Sequence, residues 1–125
     1  MTGPWRIVVI DDNPDDRAEV RRLLLQGSSR RYTFSEAGTA ALGVRAVLDL
    51  PEGPPHCVVL DYYLPDANAP QVLEALTGAD RLTLCPVVVL TGGSSHDLGA
   101  AVLRAGAQDY VGKAWLQAES LTRAI

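Results

Sequence analysis

The sequence predicts an α/β domain in which five parallel strands form an open sheet with helices on both faces. Two observations carry this. The apolar runs "RIVVI" (6–10), "CVVL" (57–60) and "PVVVL" (86–90) are continuous rather than alternating, as in strands covered on both faces. Between the runs lie segments with helical spacing, so strand and helix alternate five times in 125 residues. That length fits one compact domain, 1–125.

The elements follow in order. After the first run, residues 14–26 place Val20, Leu23 and Leu24 on one helical face and end at Gly27, a C′ candidate. "RYTFSEA" (31–37) alternates, with Tyr32 and Phe34 on one side, as a half-exposed edge strand does. Residues 40–50 form an Ala- and Leu-rich helix behind Thr39, an N-cap candidate. "PEGPP" (51–55) is a surface loop. Pro70 opens a helix that stops at Gly78, and residues 95–105 align Leu98, Val102 and Ala105 before Gly106. The short run "DYV" (109–111) is the fifth strand, and "AESLTRAI" sets Leu121 and Ile125 four apart in a last helix of barely two turns.

Composition narrows the function classes. A net charge of −4 without a basic stripe argues against direct nucleic-acid binding. No stretch reaches the roughly 18 apolar residues of a membrane span, and "MTGPWR" lacks a secretory h-region. Cys57 and Cys85 lie in or beside apolar runs without metal-ligand spacing, which suits buried thiols in a reducing cytoplasm. Ten of the eleven basic residues are Arg, and Lys113 is the only Lys.

"VVIDDNPDD" (8–16) runs a buried strand into four aspartates, whose mutual repulsion must be offset. Asn13 is an N-cap candidate, with Pro14 at the first helical position and Asp15 and Asp16 in the first turn. There each carboxylate interacts favourably with the helix dipole, by about 0.3–1 kcal/mol. Asp11 and Asp12 remain for another task. Open parallel sheets gather functional groups at the carboxyl ends of their strands. Those ends are Asp11 and Asp12, then Asp61, then Thr91 with Gly92 and Gly93, and finally Lys113. Clustered carboxylates form an oxygen-rich pocket suited to Mg²⁺. One of them can attack a phosphoryl group, whose oxygens Mg²⁺, the ammonium and the hydroxyl would meet.

This ordered set resembles the receiver domain of two-component response regulators, over essentially the whole chain. Thr91 lies 30 residues after Asp61 and Lys113 lies 22 after Thr91, and "GAQDYVGK" (106–113) resembles the family's fifth strand. The resemblance implies a flavodoxin-like (βα)5 sheet in the order 2-1-3-4-5. It implies that Asp61 accepts a phosphoryl group from a sensor histidine kinase or phosphotransfer protein in a phosphorelay. Asp11, Asp12, Asp61 and the backbone carbonyl of Tyr63 would hold Mg²⁺. Lys113 and Thr91 would assist, with Thr91 and Tyr110 as a switch pair. It also implies a cytoplasmic signalling protein, at most a weak enzyme toward its own phosphate. Its output domain or partner would meet the face made by the last two strands and helices.

The chain departs from the family at Ala114, where Pro is usual. A cis bond there would cost about 2.5–4 kcal/mol without the proline ring, so a trans Lys113–Ala114 bond and a redirected following loop are expected. The tail "GKAWLQAESLTRAI" resembles receivers within multidomain sensory proteins, which implies an excerpt of a longer chain.

Three other functions compete. One is a receiver-like protein-binding module that works without phosphate. A second is a flavodoxin-like cofactor binder using "TGGSSHD" as a phosphate cradle, which the neighbouring aspartates would oppose. The third is a Mg²⁺-dependent phosphohydrolase, which lacks a second acid at Tyr63. Asp66, Asp80 and Asp97 are loop or helix-start charges in this reading. His56, His96, Trp5 and Trp115 are assigned no part in binding or catalysis.

Overall fold

The computed structural model describes residues 3–51, 53–79, 82–92, 96–113 and 117–125. Its elements alternate as β1 (Trp5–Ile10), α1 (Pro14–Gly27), β2 (Tyr32–Ala37), α2 (Ala40–Leu48) and β3 (Cys57–Asp61). The second half continues with α3 (Ala69–Ala75), β4 (Val87–Thr91), α4 (His96–Arg104), β5 (Asp109–Gly112) and α5 (Ala118–Ala124). The five strands are all parallel, in the order β2-β1-β3-β4-β5. This is the predicted open sheet.

The continuous apolar runs are central because both of their faces are covered. Val8, Ile10, Val58, Leu60, Val87 and Val89 face a core closed by α2, α3 and α4 through Ala40, Val47, Val72, Leu73 and Val102. Ile7, Val9, Cys57, Val59, Val88 and Leu90 face the opposite core, closed by α1 and α5 through Val20, Leu23, Leu24, Leu121 and Ala124. Each fully buried Val, Leu or Ile contributes about 1.5–3 kcal/mol. Both thiols are buried; burial pushes Cys57 up to about 12 and Cys85 up to about 11, so neither is a ready nucleophile. The alternating segment is the edge strand β2, with Tyr32 and Phe34 packed on the α1/α5 side.

Helix starts follow local chemistry. The Asn13 side chain accepts from the Asp15 N–H at 2.9 Å, and Thr39 accepts from the Leu42 N–H at 3.1 Å. Helix α3 starts one residue before Pro70, because Asn68 and Gln71 form a reciprocal capping box. It ends at Ala75, short of Gly78. Gly106 has φ +113° and lets the chain turn sharply behind α4. Gly27 has a different role from the one expected. It is the last residue of α1, followed by an extended cap at Ser28, and a Cβ there would lie 2.9 Å from the Ala118 carbonyl oxygen. Its lack of a side chain lets α5 approach α1.

Candidate functional site at the carboxyl edge of the sheet

Asp11 leaves β1, Asp61 ends β3, Thr91 ends β4 and Lys113 follows β5, so the topology delivers them to one rim. Asp11, Asp12 and Asp61 bring carboxylate oxygens within 4.8 Å of one another. Asp11 and Asp61 are buried, whereas Asp12 is exposed. Thr91 is buried at the end of β4, in strand register with Gly112 of β5. Gly92 is exposed, with open space where a side chain would be.

The backbone fixes Asp11 closely. Its N–H donates to the Ala37 carbonyl at 3.0 Å, and its Oδ1 accepts from the Asn13 N–H at 2.9 Å. Arg17 donates from Nη1 to the Asp11 carbonyl oxygen at 2.6 Å while its Nε pairs with Glu36 at 3.0 Å. Asp11 Oδ2 is thereby aimed at Lys113, whose Nζ lies 3.0 Å away.

The ammonium has two further carboxylate partners, Asp61 Oδ1 at 3.1 Å and Asp16 Oδ2 at 2.9 Å. Burial works against the charged ammonium, but the hydrogen bonds it donates to Asp16, Asp11 and Asp61 outweigh it and hold its pKa above the ordinary value. Asp61 is also shifted upward, first by burial and then by the charge of Asp11, with Lys113 pulling the other way.

Asp16 corrects the expected division of the acidic stretch. It does occupy the first turn of α1, yet its carboxylate reaches the rim and Lys113. The reason is geometric: helix side chains tilt toward the N-terminus, and this N-terminus abuts the strand ends. Asp66 also does more than fill a loop. Its Oδ1 and Oδ2 accept from the Ala40 and Ala41 N–H groups at 2.8 and 2.9 Å, capping α2 from the β3–α3 loop. Those bonds lower its pKa.

Residues 7–125 match the family model of the response regulator receiver domain. The chain belongs to that family. This receiver domain is 36% identical over 123 residues to the transcriptional regulatory protein PrrA of Mycobacterium tuberculosis, covering 98% of this chain and 49% of PrrA. It therefore spans about half the length of the curated relatives it matches. The signal receiver domain of the putative response regulator NarL from Mycobacterium tuberculosis shares its fold, with a TM-score of 0.79 at 23% identity over 98% of this chain and 94% of that one. A BeF3-activated DrrB receiver domain is similar at a TM-score of 0.74 and 26% identity, over 97% of this chain and 93% of that one. Receiver domains act in two-component signal transduction, interact with histidine kinases or phosphotransfer proteins, and bind Mg²⁺ at an acidic pocket.

The remaining predicted residues of the receiver domain are placed as follows. Tyr63, two residues past Asp61, is exposed, and its ring meets Tyr62 edge-on. Tyr110 is half-buried on β5 and packs against the core under α4, where a Cβ at Gly99 would overlap its ring. His56 stacks on Trp5 and accepts the Arg6 N–H at Nδ1 over 2.9 Å, at the opposite end of the sheet. The Lys113–Ala114 bond, the loop that follows it, Gly93, Asp80 and Trp115 lie outside the described residues. No helix among the described residues is long and apolar enough to cross a membrane.

Proposed function

We propose that this receiver domain is a phosphoacceptor switch in a two-component phosphorelay, with Asp61 taking the phosphoryl group from a histidine kinase or phosphotransfer protein. The carrying observation is the packing of Asp11, Asp12 and Asp61 within 4.8 Å, with Lys113 Nζ 3.1 Å from Asp61. Hard carboxylate oxygens, one of them exposed to solvent, fit a Mg²⁺ ion that keeps several waters. Asp11, Asp12, Asp61 and the Tyr63 backbone carbonyl would hold it, and it would neutralise phosphoryl oxygens and the crowded carboxylates.

The chain's own groups account for the rest. An Asp61 oxygen attacks phosphorus, an O–P bond forms, and the bond to the donor atom breaks with its electron pair leaving on the donor. Lys113 donates to the phosphoryl oxygens, and Thr91 hydrogen-bonds one of them. Thr91 and Tyr110 form the switch pair: movement of Thr91 toward the phosphoryl group is followed by a turn of the Tyr110 ring. Gly99 supports that role, since the missing side chain gives the ring room under α4. The changed surface is the β4-α4-β5-α5 face, met by an output domain or partner. The chain is a single domain, 1–125, working in the cytoplasm, with weak turnover of its own phosphate at most.

Intact-mass measurement after treatment with a small phosphodonor tests this. One added phosphoryl group per chain is expected with Mg²⁺ present and none with chelator. Full labelling of Asp61→Asn would sink the assignment.

A further inference from the structure

We propose that Asp16 is a positioning residue that retains the Lys113 ammonium in the unphosphorylated state and competes with incoming phosphoryl oxygens for it. The inference rests on Asp61 as phosphoacceptor and adds a residue outside the expected set.

An ammonium has three N–H donors. Here all three carboxylate partners lie at bonding distance: Asp16 at 2.9 Å, Asp11 at 3.0 Å and Asp61 at 3.1 Å. A phosphoryl oxygen on Asp61 can be met by Lys113 only if one of these contacts is released. The three are not equal. The Asp11 side chain is 2% exposed, with its other oxygen tied to the Asn13 N–H, and the Asp61 side chain is 11% exposed at a strand end. Asp16 is 41% exposed on a helix, so water can replace the ammonium when the contact breaks. It is the partner that lets go.

The surroundings fit this assignment. A cavity of about 110 Å³ lined by Asp16, Glu19, Leu90 and Lys113 lies on the α1 side of the ammonium, so neither side chain is wedged. Asp15, one residue earlier, shares the helix turn and the charge but has no contact with Lys113 among the described interactions. Charge and contact are therefore separable at neighbouring positions.

The test is the affinity for beryllofluoride in the presence of Mg²⁺, read by NMR titration of the 125-residue chain. Asp16→Asn, and Asp16→Ser as a second variant, should bind about three- to five-fold more tightly, the scale of a half-exposed ion pair. Asp16→Glu should return affinity to that of the unaltered protein, and Asp15→Asn should leave it unchanged. In a Lys113→Ala background, measured at higher probe concentration, Asp16→Asn should have no further effect. Unchanged or weaker binding by both Asp16→Asn and Asp16→Ser would overturn the proposal, as would a gain that persists undiminished without Lys113. No binding by the unaltered protein would remove the phosphoacceptor reading as well, which distinguishes the two failures.

Discussion

The two ends of the same sheet are built on opposite rules. At the amino end, Trp5 stacks on His56 with ring centroids 5.3 Å apart, and the Arg30 guanidinium lies 3.8 Å over the Trp5 ring. Arg6 donates from Nη1 to the Gly53 carbonyl at 3.0 Å, its N–H donates to His56 Nδ1, and its carbonyl accepts from the His56 N–H. The guanidinium groups there meet a neutral carbonyl and an aromatic face. At the carboxyl end, Asp11, Asp16 and Asp61 gather around one ammonium, with Asp12 beside Asp11 and Asp61. Strands β1 and β3 contribute to both ends, so the strands themselves do not decide the difference. One end closes the fold, and the other stores an unbalanced negative charge that a cation would relieve.

The largest expected effect separates the two ends by metal. Mg²⁺ should raise the melting temperature of the unaltered protein, because a ligand bound only by the folded state stabilises it. Asp12→Ala should weaken Mg²⁺ at least about ten-fold if, as proposed, its carboxylate is a direct ligand. Asp15→Ala and Trp5→Ala should leave that affinity unchanged. Calorimetric titration decides it, and equal losses at Asp12 and Asp15 would erase the contrast.

A smaller effect runs the other way. Trp5→Ala removes a ring stack and a cation–π contact, for about 1–2 kcal/mol of stability. Urea denaturation measures this, and beryllofluoride affinity should not move. A loss confined to binding would mean that the ends are coupled.

The smallest effect concerns the stored charge itself. Burial and the Asp11 charge raise the Asp61 carboxyl above its unfolded value. The folded state then holds that proton more tightly, so the favourable contribution is complete below about pH 4 and is lost as pH rises through the raised value. Ionised Asp61 opposes folding at neutral pH. Without Mg²⁺, Asp61→Asn should therefore raise the melting temperature by about 1–3 °C at pH 7. The gap should narrow toward pH 4. A gap of the same size at both values would assign the gain to something other than ionisation.

Much of this contrast was legible in the residues, but unevenly. The core strands announced themselves because residues covered on both faces must be apolar at every position, as Val58, Val59 and Leu60 are. The rim followed from one topological rule applied to their ends. Asp16 was half legible: its place in the first helical turn could be read, but its contact with Lys113, 97 residues away, depends on how that turn meets the strands. Asp66 caps a helix that starts 26 residues earlier in sequence, so no local pattern carries it. The capping box at Asn68 and Gln71 had a readable signature, which the stronger expectation of Pro70 as the first helical residue obscured. Gly27 looked like a helix stop because Gly favours that position, whereas the need for it comes from α5.

The Asp66 cap has a mechanical consequence. The segment leaving Asp61 passes through Tyr62 and Tyr63 and is bolted to the first turn of α2 by two hydrogen bonds to one carboxylate. Displacing that segment alone would exchange two carboxylate contacts at the helix N-terminus for water, since no later residue of α2 can supply an acceptor from within the helix. Loop and helix are therefore tied at two points, so a displacement at the end of β3 would be expected to reach α2 as well as α4, which packs on the same face of the sheet.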